Sequence, residues 1–140
     1  MLDAYRDLID ELVSTPSEVQ GLVRAAGGDP SAVAAIRALH AREVAIHDRM
    51  LLMLKRQGAV LPPLAAAVGD GAEDAAVALA GFESARGEVV SLLMNLTLKD
   101  WERSAIQDEG HEVTIADEVE THIEHQEEQV DRLRAVGGRS

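Results

Sequence analysis

The sequence predicts an all-α fold, a four-helix bundle in a single domain spanning residues 1–140, and three observations carry the prediction. Apolar residues recur at helical spacing through almost the whole chain. Apolar side chains make up 46 % of the residues but aromatics only 2 %, so the core is built from Ala, Val, Leu, Ile and Met, a palette suited to closely packed helices. No segment shows a competing strand pattern, and neither a repeat nor a domain linker interrupts the chain. At 140 residues the chain is long enough to bury one core.

The elements follow in order. Leu2, Tyr5, Leu8, Ile9, Leu12 and Val13 give a first helix. Thr15-Pro16-Ser17-Glu18 reads as a capping box with proline at the first helical position, so a separate short helix is expected through Val19, Leu22 and Val23. Gly27-Gly28 stops it, and Asp29-Pro30 caps a long helix running to about Gln57. The expected buried stripe of that helix is Val33, Ile36, His40, Val44, His47, Leu51 and Leu54. Gly58 and Pro62-Pro63 end it. After an Ala-rich connector, Asp70 through Glu73 offers another capping box, and the helix beyond it buries Leu79, Phe82, Val89, Val90, Leu93 and Leu96. Thr97–Arg103 reads as a short helical turn and Ile106–Val113 as a loop. Thr114, with Asp117 three residues on, caps a last helix that buries Ile115, Val119, Val130 and Leu133.

Composition narrows the functional classes. A formal charge of −12 repels phosphate backbones and argues against nucleic-acid binding. The absence of cysteine excludes a disulfide framework, a thiolate nucleophile and a Cys-rich zinc site. No apolar run approaches the roughly 20 residues that span a membrane, and the first residues are amphipathic rather than signal-like. The expectation is a soluble cytoplasmic protein without membrane contact.

Five histidines, His40, His47, His111, His122 and His125, are the candidate chemistry. Imidazoles inside amphipathic helices are how bundles build metal sites between helices. His40 and His47 share one helix, roughly 10 Å apart at 1.5 Å per residue, too far to hold one small ion together. On the last helix His122 and His125, or His125 and Gln129, can face one point. The plainer reading of His47 and His122 is a hydrogen-bonded core or interface residue, and His111 reads as exposed. The run Glu118, Glu120, Glu124, Glu127 and Glu128 reads as a solvated face. Arg86 stands on an apolar stripe and wants a buried acceptor, for which Glu43 across the bundle is a candidate. There is no nucleophile elbow, no Gly-rich phosphate loop and no Glu-x-x-His pair of the di-iron kind.

The phrase Phe82-x-x-x-Arg86, then Leu93-x-x-Leu96-Thr97-x-x-Asp100-Trp101-x-Arg103, then a loop and Thr114, resembles the DinB-like family. Glu124-His125-x-x-x-Gln129-Val130-x-x-Leu133 fits the same family's last helix, and the likeness runs back through Leu39-His40 and Leu61-Pro62 to cover most of the chain. The resemblance implies an up-down-down-up bundle, usually a homodimer, often with one divalent metal (Ni, Zn or Fe) on three histidines. It also implies kinship with bacillithiol- and mycothiol-dependent transferases and isomerases. Carried over, the ligands fall on His40, His125 and Gln129. An amide oxygen at Gln129 is a poorer ligand than imidazole, and His122, one turn before His125, is the alternative.

Two functions therefore stand. One is a divalent-metal-dependent enzyme of the thiol-transferase type, whose ion would polarise or deprotonate a small thiol. The other is a metal-free, non-catalytic dimeric bundle that binds a small ligand or protein partner. The sequence names no substrate. Leu39, Ile46, Met50 and Met53, beside the expected stripe of the second long helix, read as surplus apolar surface for a dimer interface.

Overall fold

The computed structural model describes residues 3–64, 74–107 and 110–137. Four long helices, α1 (Asp3–Ala26), α2 (Pro30–Lys55), α3 (Ala75–Met94) and α5 (Ile115–Gly137), form the bundle, with a single helical turn α4 (Leu98–Trp101) before a small hairpin. The capping chemistry is local. Asp29 accepts from the Ser31 N–H ahead of Pro30, and Asp74 accepts from Val77 N–H at the start of α3. Thr97 with Asp100, and Thr114 with Asp117, exchange reciprocal hydrogen bonds of 3.0–3.1 Å that start α4 and α5. The capping box expected at Asp70–Glu73 lies outside the described residues.

The side-chain register fixes the topology. Thr15 meets Gln126 and Glu18 meets Arg134, so α1 and α5 run parallel. His40 lies against Gly81 and Glu43 against Arg86, so α2 and α3 also run parallel. Glu43 meets His122 and Arg49 meets Glu118, which sets α2 antiparallel to α5. The three-residue turn from α1 to α2 nevertheless joins helices that lie diagonally and touch little, while α2 packs on α3 and α5. This is the up-down-down-up bundle.

Three expectations are corrected. Pro16 does not start a second helix; α1 continues through it. The segment expected as a loop is a hairpin, β1 (Ser104–Gln107) paired antiparallel with β2 (His111–Thr114), and residues 59–61 add to its edge through Leu61 N–H to Ile106 C=O and Ile106 N–H to Ala59 C=O, each 2.8 Å. Four-residue strands are too short for a two-residue period to show in the sequence. The buried face of α2 is also rotated from the one expected. Leu39, Ile46, Met50 and Met53 are fully buried in this chain's own core, whereas Val44 and Leu51 are exposed. These four residues therefore do not form a surplus surface. They face α3 and α5 because α2 is wedged between those helices.

Candidate functional site

Two apolar clusters fill the bundle. One gathers Leu12, Ile46, Met50, Leu93 and Trp101, the other Val19, Ile36, Leu39, Phe82 and Leu133. Between them lies a layer of polar side chains drawn from all four long helices. Arg86 of α3 is 2 % exposed, and its Nε and Nη2 donate to the two Glu43 carboxylate oxygens at 2.7 and 2.9 Å. Nη2 also donates to Gln126 Oε1 at 2.5 Å, and Nη1 to the Leu12 carbonyl at 2.8 Å. The Gln126 amide is fixed in turn by donating to Thr15 Oγ1 at 2.9 Å, and Thr15 donates to the Glu11 carbonyl at 2.7 Å. His122 Nε2 lies 2.6 Å from Glu43 Oε1, and because a carboxylate only accepts, Nε2 carries the proton.

The layer repairs the helix that proline would break. An interior proline has no N–H for the carbonyl four residues back, here that of Leu12. Arg86 supplies the missing donor from another helix, which is why α1 runs on past Pro16. Within the layer the Arg86 guanidinium and the His122 ring both lie on the one Glu43 carboxylate. Burial works to raise the Glu43 pKa, but hydrogen bonds and charge from His122 and Arg86 outweigh it and bring it down to about 2.

A second polar set lies nearer the hairpin. Arg49 donates to the Pro62 carbonyl, to Gln107 Oε1 and to Glu118 Oε1, at 2.7–2.8 Å. It ties α2 and α5 to the connector and to β1. Glu118 is thus no part of a solvated acidic face: it is 3 % exposed, and burial pushes its pKa up despite Arg49 beside it.

Of the four residues expected to hold a metal, His122 joins the central layer. His40 packs against Gly81 of α3, where the absence of a side chain admits the imidazole ring. His125 is half-buried on α5 with Nδ1 lacking a hydrogen-bond partner. Burial, then the charges of Arg42, His122 and Arg132, depress its pKa to about 4. Gln129 is buried and accepts a long 3.5 Å contact from Arg132. Among the described residues no group of three or more His, Asp or Glu side chains is disposed to hold a metal ion. Glu43, His122 and Gln126 converge in this layer with the Arg86 guanidinium among them; His122 is one of the expected ligands, whereas Glu43 and Gln126 are not. A resident divalent ion does not fit this donor set, because the oxygens that would bind it already accept from Arg86.

Gln126 and Thr15 were missed in the sequence, although a signal existed. The apolar positions Ile115, Val119, Val130 and Leu133 of α5 are spaced by four and three, and the same spacing carried through the gap lands on His122 and Gln126. A cation on an apolar stripe wants a buried acceptor, and the candidate Glu43 is that acceptor for Arg86.

A cleft of about 230 Å³ opens between α1, α3 and α4, lined by Tyr5, Ile9, Leu93, Met94, Leu96 and Trp101 with Arg6 and Asp10 beside them. Tyr5 and Trp101 stack in it, ring centroids 4.5 Å apart and planes within 4°.

This architecture, with its crossed order of helices, is the DinB-like four-helix bundle. A solved structure of the same fold is YfiT from Bacillus subtilis, described as a probable metal-dependent hydrolase with an unusual four-helix bundle topology. It superposes with a TM-score of 0.84 over 96 % of this chain and 86 % of its own, at 15 % identity. No family model matches the chain, and no curated protein matches it in sequence. No helix among the described residues is long and apolar enough to cross a membrane.

Proposed function

We propose that this chain is a metal-free, non-catalytic bundle that binds a small apolar ligand in the cleft beside Trp101. The observation that carries this reading is the Arg86 guanidinium. It stands where Glu43, His122 and Gln126 converge and occupies the Glu43 and Gln126 oxygens that a metal ion there would otherwise need. A centre closed in this way is a structural brace, which leaves the cleft as the concave, mostly apolar place for a ligand. A second copy of the chain is the proposed partner, with the exposed Val44 and Leu51 of α2 offering an apolar strip to it.

Trp101 is the chain's single tryptophan and lines the cleft, so its fluorescence reports occupancy. Titration with 1-anilinonaphthalene-8-sulfonate should give saturable energy transfer from Trp101, abolished by Met94→Arg, a change at an exposed residue of the cleft wall. Transfer that persists undiminished in that variant would place the ligand elsewhere.

A second reading, a divalent-metal-dependent enzyme of the thiol-transferase type, is favoured by His125. Its ring is neutral at physiological pH, as a metal ligand must be, and its Nδ1 lacks a hydrogen-bond partner. Under that reading His40, His125 and Gln129 or His122 would supply the ligands; the fold relative described as a probable metal-dependent hydrolase supports metal dependence alone, not the thiol-transferase type. Stoichiometric metal in the purified protein would decide for it.

A further inference from the structure

We propose that the ligand of the cleft is a small, uncharged planar aromatic, one or two fused rings with a hydroxyl or ring N–H at one edge, which stacks on Trp101 in place of Tyr5. This ligand class rests on the cleft reading above and deepens it.

The chain has three aromatic residues, one each of Trp, Tyr and Phe. Phe82 packs in the other apolar cluster, beneath the Arg86 guanidinium. The remaining two stack on each other at the cleft, nearly parallel. The core around them is otherwise aliphatic and methionine, side chains that fill space without presenting a flat face. An indole and a phenol laid together at the one mostly apolar cleft supply such a face.

Trp101 lines the cleft and yet is only 1 % exposed, because Tyr5 lies flat over its ring. Tyr5 therefore stands between the indole face and a ligand. It is lightly held. Helix α1 begins at Asp3, so Tyr5 belongs to the first turn, where backbone N–H groups have no helical acceptor and helices open most readily. Among the described residues its hydroxyl makes no hydrogen bond. A turn of this one side chain bares a face that an incoming ring covers again.

Size and charge narrow the ligand further. The cleft, of about 230 Å³, exceeds the roughly 150 Å³ that takes benzene and falls short of the roughly 300 Å³ at which drug-sized pockets begin. One or two fused rings fit that range. Arg6 and Asp10 are exposed one helical turn apart beside it, and their charges offset. A charged ring gains nothing there, whereas a hydroxyl or ring N–H donates to the Asp10 carboxylate and a hydroxyl oxygen accepts from Arg6. The exposed Met94 of the wall adds a thioether, which packs well against aromatic edges.

The test uses the full-length chain, labelled with nitrogen-15, as parent, Tyr5→Ala and Tyr5→Leu. Two competitors are titrated against bound 1-anilinonaphthalene-8-sulfonate. One is 2-naphthol, which is flat; the other is decahydro-2-naphthol, the same skeleton and hydroxyl with puckered rings. A ring stack is worth about two- to tenfold in affinity. In the parent, 2-naphthol should displace the probe at a concentration at least about threefold lower than decahydro-2-naphthol. It should also shift the indole N–H resonance of Trp101, the chain's one tryptophan. Tyr5→Ala removes the competing ring and should tighten 2-naphthol by about two- to tenfold. Tyr5→Leu covers the indole without a flat ring and should fall between the two. If Tyr5→Ala does not fold, Tyr5→Leu should still bind 2-naphthol more tightly than the parent.

A parent that does not bind the probe, or binds it unaffected by Met94→Arg, would overturn the cleft reading itself. A probe held in the cleft but displaced equally well by both competitors sinks the aromatic claim alone, as does a Trp101 resonance unmoved by bound 2-naphthol. Binding of 2-naphthol that weakens in both Tyr5 variants makes Tyr5 a wall of the site and rules out its displacement.

Discussion

The Leu12 carbonyl accepts a 2.8 Å hydrogen bond from Arg86 Nη1, and its ordinary helical donor would have been the N–H that Pro16 lacks. A break in one helix is thereby coupled to an ion pair between two others.

That coupling can be measured. Pro16→Ala restores the N–H and removes an interior proline, which is about 3 kcal/mol less favourable than alanine in a helix. The variant should be at least as stable as the parent. Arg86→Met should then cost less in the Pro16→Ala background, with a coupling of about 0.5–3 kcal/mol in urea unfolding. Equal costs in both backgrounds would show that the Arg86–Leu12 bond carries no weight.

Glu43 and Arg86 should behave as a buried pair does. Glu43→Gln leaves the guanidinium uncompensated in the core and should cost about 3–5 kcal/mol. Glu43→Leu together with Arg86→Met removes both charges and should cost less than Glu43→Gln alone, since a buried pair exchanged for apolar groups is often neutral. A double variant that is the less stable of the two would indicate that the layer stabilises by more than charge balance.

Acid sensitivity should trace to His125 first. Unfolded, it titrates near its ordinary 6.5; folded, it takes its proton only near 4. The unfolded chain therefore binds more protons between these values. The contribution of His125 to stability is complete above pH 6.5 and is lost as the pH falls toward 4. Glu43, lowered from 4.5 to about 2, adds a further loss at still lower pH. Glu118, whose pKa is raised, works the other way and favours the fold as acid neutralises it. Urea midpoints at about pH 7 and about pH 5 should differ less for His125→Gln than for the parent, since only the parent imidazole charges in that window. An unchanged difference would assign the acid loss to other groups.

Gly81 is kept by His40. A Cβ at Gly81 would overlap the imidazole ring, so Gly81→Ala must displace it, an overpacking cost of about 1–3 kcal/mol. In a His40→Ala background the clash is gone, and Gly81→Ala should stabilise by about 1 kcal/mol through helix propensity alone. Destabilisation in both backgrounds would mean that another neighbour needs the glycine.

Much of this was legible from periodicity and caps. The three long helices after Gly28, the helical turn after Thr97, the Thr114–Asp117 cap and the Asp29-Pro30 start are local chemistry, and each is present. Pro16 misled because its remedy is tertiary: the donor for Leu12 lies on α3, seventy-four residues away. The face of α2 misled because Val44 and Leu51 are as apolar as Met50 and Met53, so composition does not say which side is inward. The hairpin is invisible for a related reason. Its edge is completed by Ala59 and Leu61, residues of a connector rather than a neighbouring strand. At the site, the histidines drew attention as metal-ligating types, while the organising group is Arg86, for whose buried acceptor the sequence offered Glu43 as one candidate.

The central claim is that the bundle's centre is closed by the Arg86 guanidinium and holds no metal. Its most direct test is elemental analysis of the full-length protein, purified without a histidine tag from cells grown with added Ni, Zn and Fe. The claim predicts no stoichiometric metal, and the same content in the parent and in Glu43→Gln. One equivalent per chain in the parent, lost when Glu43, His122 or His125 is replaced, would contradict it.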